Sequence, residues 1–439
     1  MAKQNHDTKS KRDSRREKKE IKWDKLDNTA HIFPVIAGES MSNVYRISVT
    51  LGEEIRQELL QEALERVLPW FEVFKVRIRY GVFWYYFETN QKQAPKVKQE
   101  YRYPCQFISP NRNRNYLFRV NYYKNRINLE VFHVLTDGMG GITFLRELTY
   151  QYLRLAHPEL QKKLGDGLCS DTSLNREDSY LKNYKKSHKK GYKTERAFHV
   201  TGEKLPPTEI GVMHGYMPIP ALKEACRQYR VSINEYLVAA FLWSIYQECL
   251  HGISNKRVIS SCVPVNLRPY FDSITIKNFF VIVSAVFCPK KESYEFAEVV
   301  QIVAESLRSQ INREHLENLF AYNVSNEKNF ILRAVPLFIK NIAIRYVYHT
   351  SALANTTTVT NIGNIQVREE YQEYIKGFSA FLSMSEGQNI KGTICSYLDT
   401  LVFSISSNLA DTSVQRGFFH RMTEDGIPVQ IETNGVYDE

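Results

Sequence analysis

The sequence predicts a mixed α/β (α+β) chain folded as two similar lobes, on three observations. Its 439 residues fit two or three domains, or one large bilobed unit, at roughly 100–200 residues per domain. Helical and strand patterns alternate in both halves, so each half can build its own layers. Aromatic residues make up 13% of the chain, a share that suits a β-rich core or a lined tunnel. With 43% hydrophobic and 24% charged residues, collagen, coiled coil and bulk disorder are excluded.

Residues 1–20 hold eight Lys/Arg against four Asp/Glu and are expected to form a basic disordered arm. Order is expected to begin near residue 21. Ile55, Leu59, Leu60, Ala63 and Leu64 share one face of a helix over 53–68, which Pro69 stops. Strand patterns at 74–80 and 82–87 flank Gly81, and patterns at 116–123 and 126–135 flank Lys124-Asn125. Each pair reads as a hairpin. After a glycine-rich turn, Leu145, Leu148 and Tyr152 mark a helix over 142–155. Residues 161–207 lose periodicity and read as a long connection or lid between the halves.

Helices resume at 220–229 and 232–249. Ser232 and Glu235 form a capping box for the second, with Val231 and Tyr236 as a staple. Strands follow at 258–264 and 279–287, then a helix over 294–312 and strands at 357–362, 394–397 and 400–406. A last helix, 411–424, stops before Gly426. The apolar run 279–288 is too short to span a bilayer and reads as a buried strand. The expected division is an arm (1–20), an N-terminal lobe (21–200) and a C-terminal lobe (201–439).

The net charge is +10, of which the arm supplies four, leaving about +6 for the body. No zinc-finger, helix-turn-helix or RNP pattern accompanies it, so nucleic acid is not the expected partner. A phosphorylated small ligand accounts equally well for a mildly basic body, and Lys and Arg near 181–196 are candidates by charge alone. The seven cysteines are odd in number and lack a C-x-x-C spacing. They argue against a disulfide framework or zinc site and for reduced thiols in the cytoplasm. No apolar h-region marks a signal peptide. The arm has no amphipathic or lipid-anchor pattern, so membrane-surface association ranks low. The eleven histidines show no H-E-x-x-H, and no metal is expected.

The informative segment is INLEVFHVLTDGMGG, residues 127–141. Alternation puts Ile127, Leu129, Val131 and His133 on one face of a strand. A histidine thus ends an apolar stripe where the strand meets Gly138, Gly140 and Gly141, residues that free the backbone of a turn. A lone histidine is usually a satisfied core residue. Here it is followed by Asp137-Gly138, and by composition H-x-x-x-D-G is expected only about 0.015 times in such a chain.

At these residues the sequence resembles the CoA-dependent acyltransferase superfamily with the chloramphenicol-acetyltransferase-like fold. That superfamily includes alcohol acetyltransferases, plant BAHD acyltransferases, wax-ester synthases and peptide-synthetase condensation domains. Its H-x-x-x-D-G signature is His133 to Gly138. Val231-Ser232-Ile233-Asn234-Glu235-Tyr236-Leu237 is similar to its helix start, and Val263-Pro264-Val265-Asn266-Leu267-Arg268-Pro269 to its v-p-v-x-x-R-p segment. Asn278-Phe279-Phe280 is similar to its G-N-x, with Lys277 in place of the glycine. Thr360-Asn361-Ile362-Gly363 is similar to its (S/T)-N-x-G. The doubled histidine of condensation domains is absent, because Phe132 precedes His133, and so is the BAHD D-F-G-W-G motif. Both departures favour a free-standing enzyme of the alcohol-acetyltransferase kind.

The resemblance implies a tunnel and active site between two lobes, with acyl-CoA (acetyl-CoA foremost) as co-substrate and an alcohol or amine as acceptor. It implies that His133 is the general base, a task that suits a neutral imidazole. It implies that Asp137 is structural, with Arg268 the candidate partner, and that Gly138 completes the motif. Thr360 or Asn361 is the candidate donor to the thioester oxyanion; simple turn chemistry accounts for that pair about as well. Two alternatives stand beside this reading. One is a condensation-type transferase fed by an acyl-carrier protein, whose acidic surface would suit a basic enzyme. The other is a non-catalytic protein that keeps the fold. Two lobes in one chain suggest a pseudo-dimeric monomer.

Overall fold

In the computed structural model the described residues are 21–186, 195–329 and 333–437. The basic arm, and residues 187–194 of the proposed lid, lie outside them; of the candidate cations near 181–196, the described Lys182 and Lys185 pair with Glu177 and Glu317. Two separate apolar cores organise the chain. One is built mainly from residues 26–169, the other from residues beyond 180. Each core lies against one mixed sheet, which gives the two-lobed α/β architecture.

The first lobe carries a five-stranded sheet in the order Ile375–Leu382, Val44–Leu51, Arg126–Phe132, Phe118–Tyr123 and Lys98–Gln99. Phe118–Tyr123 and Arg126–Phe132 form the hairpin expected around Lys124-Asn125. Its apolar face is covered by the helices Gln57–Val67 and Gly138–Ala156, which pack on each other. Leu60, Ala63 and Leu64 of the first of these are buried, as the periodicity predicts. That helix begins four residues later than the pattern suggests. The second hairpin, Val76–Tyr80 with Tyr85–Thr89, forms a separate antiparallel sheet with Trp23–Lys25.

The other face of the strand Arg126–Phe132 is polar yet equally buried. Asn128 and Glu130 are fully inaccessible. Glu130 accepts from Arg46 Nη2 at 2.6 Å and from Arg119, and Arg46 also pairs with Glu100. A carboxylate buried this deeply persists because two guanidiniums face it.

The second lobe carries a seven-stranded sheet in the order Phe280–Phe287, Ile259–Asn266, Thr357–Asn364, Ile390–Tyr397, Thr400–Ser407, Gly211–Pro218 and Gln430–Thr433. The helix Ile233–Leu250 is apolar all round and lies buried beneath Phe296–Gln310 and Ser413–Glu424. Its capping box is formed: Glu235 N donates to Ser232 Oγ at 3.2 Å and Ser232 N to Glu235 Oε2 at 2.7 Å. The run 279–288 differs from expectation. Phe280–Phe287 is an edge strand, buried on one face only, with Ile282 half exposed.

Several elements have no counterpart in the sequence pattern, among them the strands Val44–Leu51, Gly211–Pro218, Ile375–Leu382 and Gln430–Thr433, and the helices Arg313–Lys328 and Leu337–Ala352. The strand Ile375–Leu382 has the largest consequence. It leaves the second lobe, pairs antiparallel with Val44–Leu51, and completes the sheet of the first.

Candidate active site

His133 follows the last residue of Arg126–Phe132, and its N–H donates to Asn43 O at 3.0 Å, one step past the ladder. The site starts from that ladder end. Leu135 N closes back on Phe132 O at 3.0 Å, so the chain turns sharply. The next element is already the helix Gly138–Ala156, four residues earlier than the apolar spacing indicates. Asp137 is its N-cap, accepting from Gly140 N at 3.3 Å.

The glycines therefore sit in the first turn of a helix, and none of Gly138, Gly140 and Gly141 has a positive φ. Their function is close approach rather than turn geometry. A Cβ on Gly140 would run into Thr136 Oγ1 and the Ile276 carbonyl, and one on Gly141 would stand 2.7 Å from the Tyr45 hydroxyl. That hydroxyl donates to Asp137 O at 2.9 Å and locks the turn from below.

The partners of the Asp137 carboxylate beyond its own turn come from the second lobe, from the connection between Ile259–Asn266 and Phe280–Phe287. Arg268 grips Asp137 with two bonds, Nη1 to Oδ2 at 2.8 Å and Nη2 to Oδ1 at 3.1 Å. Phe279 N adds a third at 3.0 Å. The same guanidinium donates to the carbonyls of Thr275 and Lys277 and to Asn266 Oδ1. The Asp137–Arg268 pair is mostly withdrawn from water and geometrically complete, the condition under which a buried ion pair holds.

His133 itself is half-buried. Its ring stacks on Phe33 at 4.7 Å between centroids, meets the edge of Tyr45 at 5.2 Å, and lies 5.6 Å from the Phe280 ring. Its Nδ1 lies 3.2 Å from Asn278 Oδ1. The orientation of that amide follows from its other end. Asn278 Nδ2 donates to Asp27 Oδ2 at 2.9 Å, while Asp27 also receives Asn278 N and Ala30 N. Asn278 thus turns its oxygen to the ring, and Nδ1 carries the proton. The other nitrogen, Nε2, then carries the lone pair.

Burial lowers the His133 pKa below the usual 6.5, and the Lys391 charge lowers it further. Hydrogen bonds to its own backbone and to Asn278, and the charge of Asp137, act the other way. The net result is a pKa below that of a free imidazole, which favours the neutral ring. Burial raises the Asp27 carboxyl to about 7, against the opposing hydrogen bond of Asn278.

Asn361 and Thr360 lie on the strand Thr357–Asn364, whose Ile362 packs against Gly138. Asn361 Oδ1 accepts from Gly363 N at 2.8 Å across a bulge, and its Nδ2 faces Asn234 Oδ1 at 3.3 Å. No hydrogen bond joins Thr360 or Asn361 to His133 among the described residues. The structure therefore brings together His133, Asp137, Gly138 and Arg268, and leaves Asn361 engaged with its own strand turn.

Three groups at the site have no role assigned from sequence: Asn278, Asp27 and Phe33. Asn278 lies inside a segment already matched by pattern, and that match was the available signal. Asp27 lies 251 positions from its partner, and nothing local marks it.

No protein-family model matches the chain, and no curated protein matches it by sequence. Solved structures do match in fold. The Fusarium sporotrichioides protein TRI101, solved with coenzyme A and T-2, superposes with a TM-score of 0.61 at 11% identity, covering 93% of this chain and 99% of that one. The trichothecene 15-O-acetyltransferase TRI3 from the same fungus gives 0.57 at 10% identity, covering 92% and 95%. A mutant starter condensation domain of the rhizomide synthetase RzmA, solved with C8-CoA and Leu-SNAC, gives 0.56 at 12% identity, covering 92% and 94%. The two-lobed fold is common to all of them.

Proposed function

We propose, from a fold held in common with acetyltransferases and condensation domains, that this chain transfers an acyl group, foremost acetyl, from coenzyme A to an alcohol. The observation that carries the proposal is the state of His133. Its ring lies at the seam of the lobes with Nδ1 held by Asn278, with no hydrogen bond to Nε2 among the described residues, and with its pKa lowered by burial.

In this reading the acceptor hydroxyl donates its proton to His133 Nε2 as its oxygen attacks the thioester carbon. A C–O bond forms and the carbonyl becomes an oxyanion. When the tetrahedral intermediate collapses, the C–S bond breaks and the thiolate leaves with the proton from Nε2. The enzyme needs no covalent intermediate, since the thioester is already activated. Asp137 does not relay protons: both its oxygens are taken by Arg268, Phe279 N and Gly140 N. It holds the turn that aims His133. Of the two candidate oxyanion donors, Thr360 is preferred, because the Asn361 Nδ2 donates to Asn234 Oδ1.

A second reading, transfer from an acyl-carrier protein, is supported by the likeness to a condensation domain. Free-thiol release separates the two. With acetyl-CoA and a panel of alcohols and amines, wild type is expected to release thiol only when an acceptor is present. His133→Ala is expected to lose on the order of 10²–10⁴ in rate. If no acyl-CoA of any chain length turns over while an acylated carrier protein does, the second reading replaces the first.

A further inference from the structure

Lys391 is a buried cation that the proposed chemistry does not use. It lies on the strand Ile390–Tyr397 with only 5% of its surface exposed. In register, Cys262, Thr358, Lys391 and Ser406 form one row across the seven-stranded sheet. That row faces the end of the crossover strand, for Ser406 Oγ donates to Leu382 O at 2.8 Å and Lys391 Nζ to Ser383 O at 2.8 Å.

The same strand end brings the ammonium close to His133. Ser383 N bonds to Val44 O, and the preceding residue, Asn43, holds the His133 N–H. The lysine charge adds to the lowering of the His133 pKa, for which burial is the main cause.

A buried ammonium normally has a carboxylate. Lys277, for comparison, pairs with Asp24 at 2.8 Å. Lys391 has none among the described residues. Its only hydrogen-bond acceptors there are the Ser383 carbonyl and the Ser385 hydroxyl, both neutral. The third ammonium donor has no acceptor among the described residues. The titratable groups around it are Cys262, Cys105, His133 and, through Ser385, Tyr348. The nearby Glu386 carboxylate acts on Tyr348 and pairs with His349, not with Lys391. Burial lowers its pKa to about 8, which leaves it mostly charged at neutral pH. Nearby Ser385, Met384, Met41 and Tyr348 are only half-buried, so the rim of this region is open.

We infer that Lys391 is the binding site for a carboxylate on one of the two substrates, set beside the reacting centre. A single ammonium, whose hydrogen-bond partners among the described residues are all neutral, matches one negative charge better than a phosphate. This rests on the acyl-transfer reading. The carboxylate has two possible sources, a hydroxy-acid acceptor or a dicarboxylic acyl group.

Two arms separate the sources. The acceptor arm compares 3-hydroxybutyrate with its amide, using acetyl-CoA. The acyl arm compares succinyl-CoA with butyryl-CoA, using a neutral alcohol. In one arm, wild type is expected to favour the carboxylate in kcat/KM and in calorimetric affinity by roughly 10–100-fold, the range of a charge-assisted hydrogen bond. Lys391→Met is expected to abolish that preference, read as the ratio of kcat/KM for the carboxylate and its neutral analogue within each variant, and Lys391→Arg to restore part of it. Circular dichroism confirms that each variant is folded; if Lys391→Met is not, the Arg variant and the wild-type preference carry the test. A wild type with no preference in either arm overturns the inference, as does a preference that survives Lys391→Met. Calorimetry keeps this apart from the fate of the proposed function. Lys391-dependent carboxylate binding without thiol release would sink the acyl-transfer reading alone. Thiol release with neutral substrates, but no Lys391-dependent preference, would sink the carboxylate site alone.

Discussion

Asn278 connects three parts of the chain through one amide: His133 of the first lobe, its own loop in the second, and Asp27 before either. Its oxygen fixes which ring nitrogen holds the proton, so it is a positioning residue. Asn278→Ala should lower kcat by about 10–100-fold with little change in KM, since the loss falls on orientation of the base. Asn278→Asp should recover part of that rate by keeping an oxygen toward Nδ1. A purely structural role would move stability and leave the ratio of kcat to KM unchanged. The pH profile gives a second check. Because burial lowers the His133 pKa, the base is deprotonated above a value lying below 6.5. The acid limb of kcat/KM should therefore fall at a lower pH than for a free imidazole. A limb at or above 6.5 would contradict the burial of the ring. At this scale the sequence was legible wherever the chemistry is local. His133, Asp137 and Gly138 lie within six positions, and Arg268 is marked by its own segment. Asp27 and Lys391 act through partners brought in by tertiary structure, so no spacing marks them.

Among the elements, the helix Gly138–Ala156 shows how a correct motif can be misread in shape. Three glycines suggest a flexible turn, but here they admit Tyr45, Thr136 and Ile276 to the helix backbone. Gly140→Ala should cost about 1–3 kcal/mol or more by overpacking, read as a lower midpoint in urea. An unchanged midpoint would return the glycine to a turn role. The strand Arg126–Phe132 teaches a related lesson. Its alternation is correct, but polarity on the second face does not mean exposure, because Glu130 is buried against Arg46 and Arg119. Burial tends to raise its pKa, and the two guanidiniums override this and bring it to about 2. The folded value lies below the unfolded one, so the stabilisation is present above about 4.5 and is lost as pH falls from there toward 2. Urea titrations between pH 6 and 2.5 should show this acid limb. Glu130→Gln should be less stable at pH 6 and have a flatter limb. Equal slopes for both proteins would mean that Glu130 gains nothing from its partners.

For the whole molecule, Asp137 and Arg268 form an ion pair between the lobes at the site itself. Leaving either charge buried without the other should cost about 3–5 kcal/mol. Asp137→Ala is thus expected to lower the melting temperature and, by releasing the turn, to reduce activity beyond what remains folded. Retention of full stability would show that the pair is dispensable. The division into two α/β lobes was legible from length and alternating periodicity. The strands Gly211–Pro218, Ile375–Leu382 and Gln430–Thr433 were not, because their sequences lack clear alternation and they form by adding to edges supplied from elsewhere. Their identity as strands is a property of the assembled sheets.

The crossover strand also bears on how the protein is made. Val44–Leu51 leaves the ribosome more than three hundred residues ahead of its neighbour Ile375–Leu382. At about 5–20 residues per second, the first sheet waits for tens of seconds with an open edge. An unpaired edge of this kind recruits other chains. Nascent chains stalled between residues 200 and 370 should therefore bind chaperones or aggregate, and release past residue 382 should end that exposure.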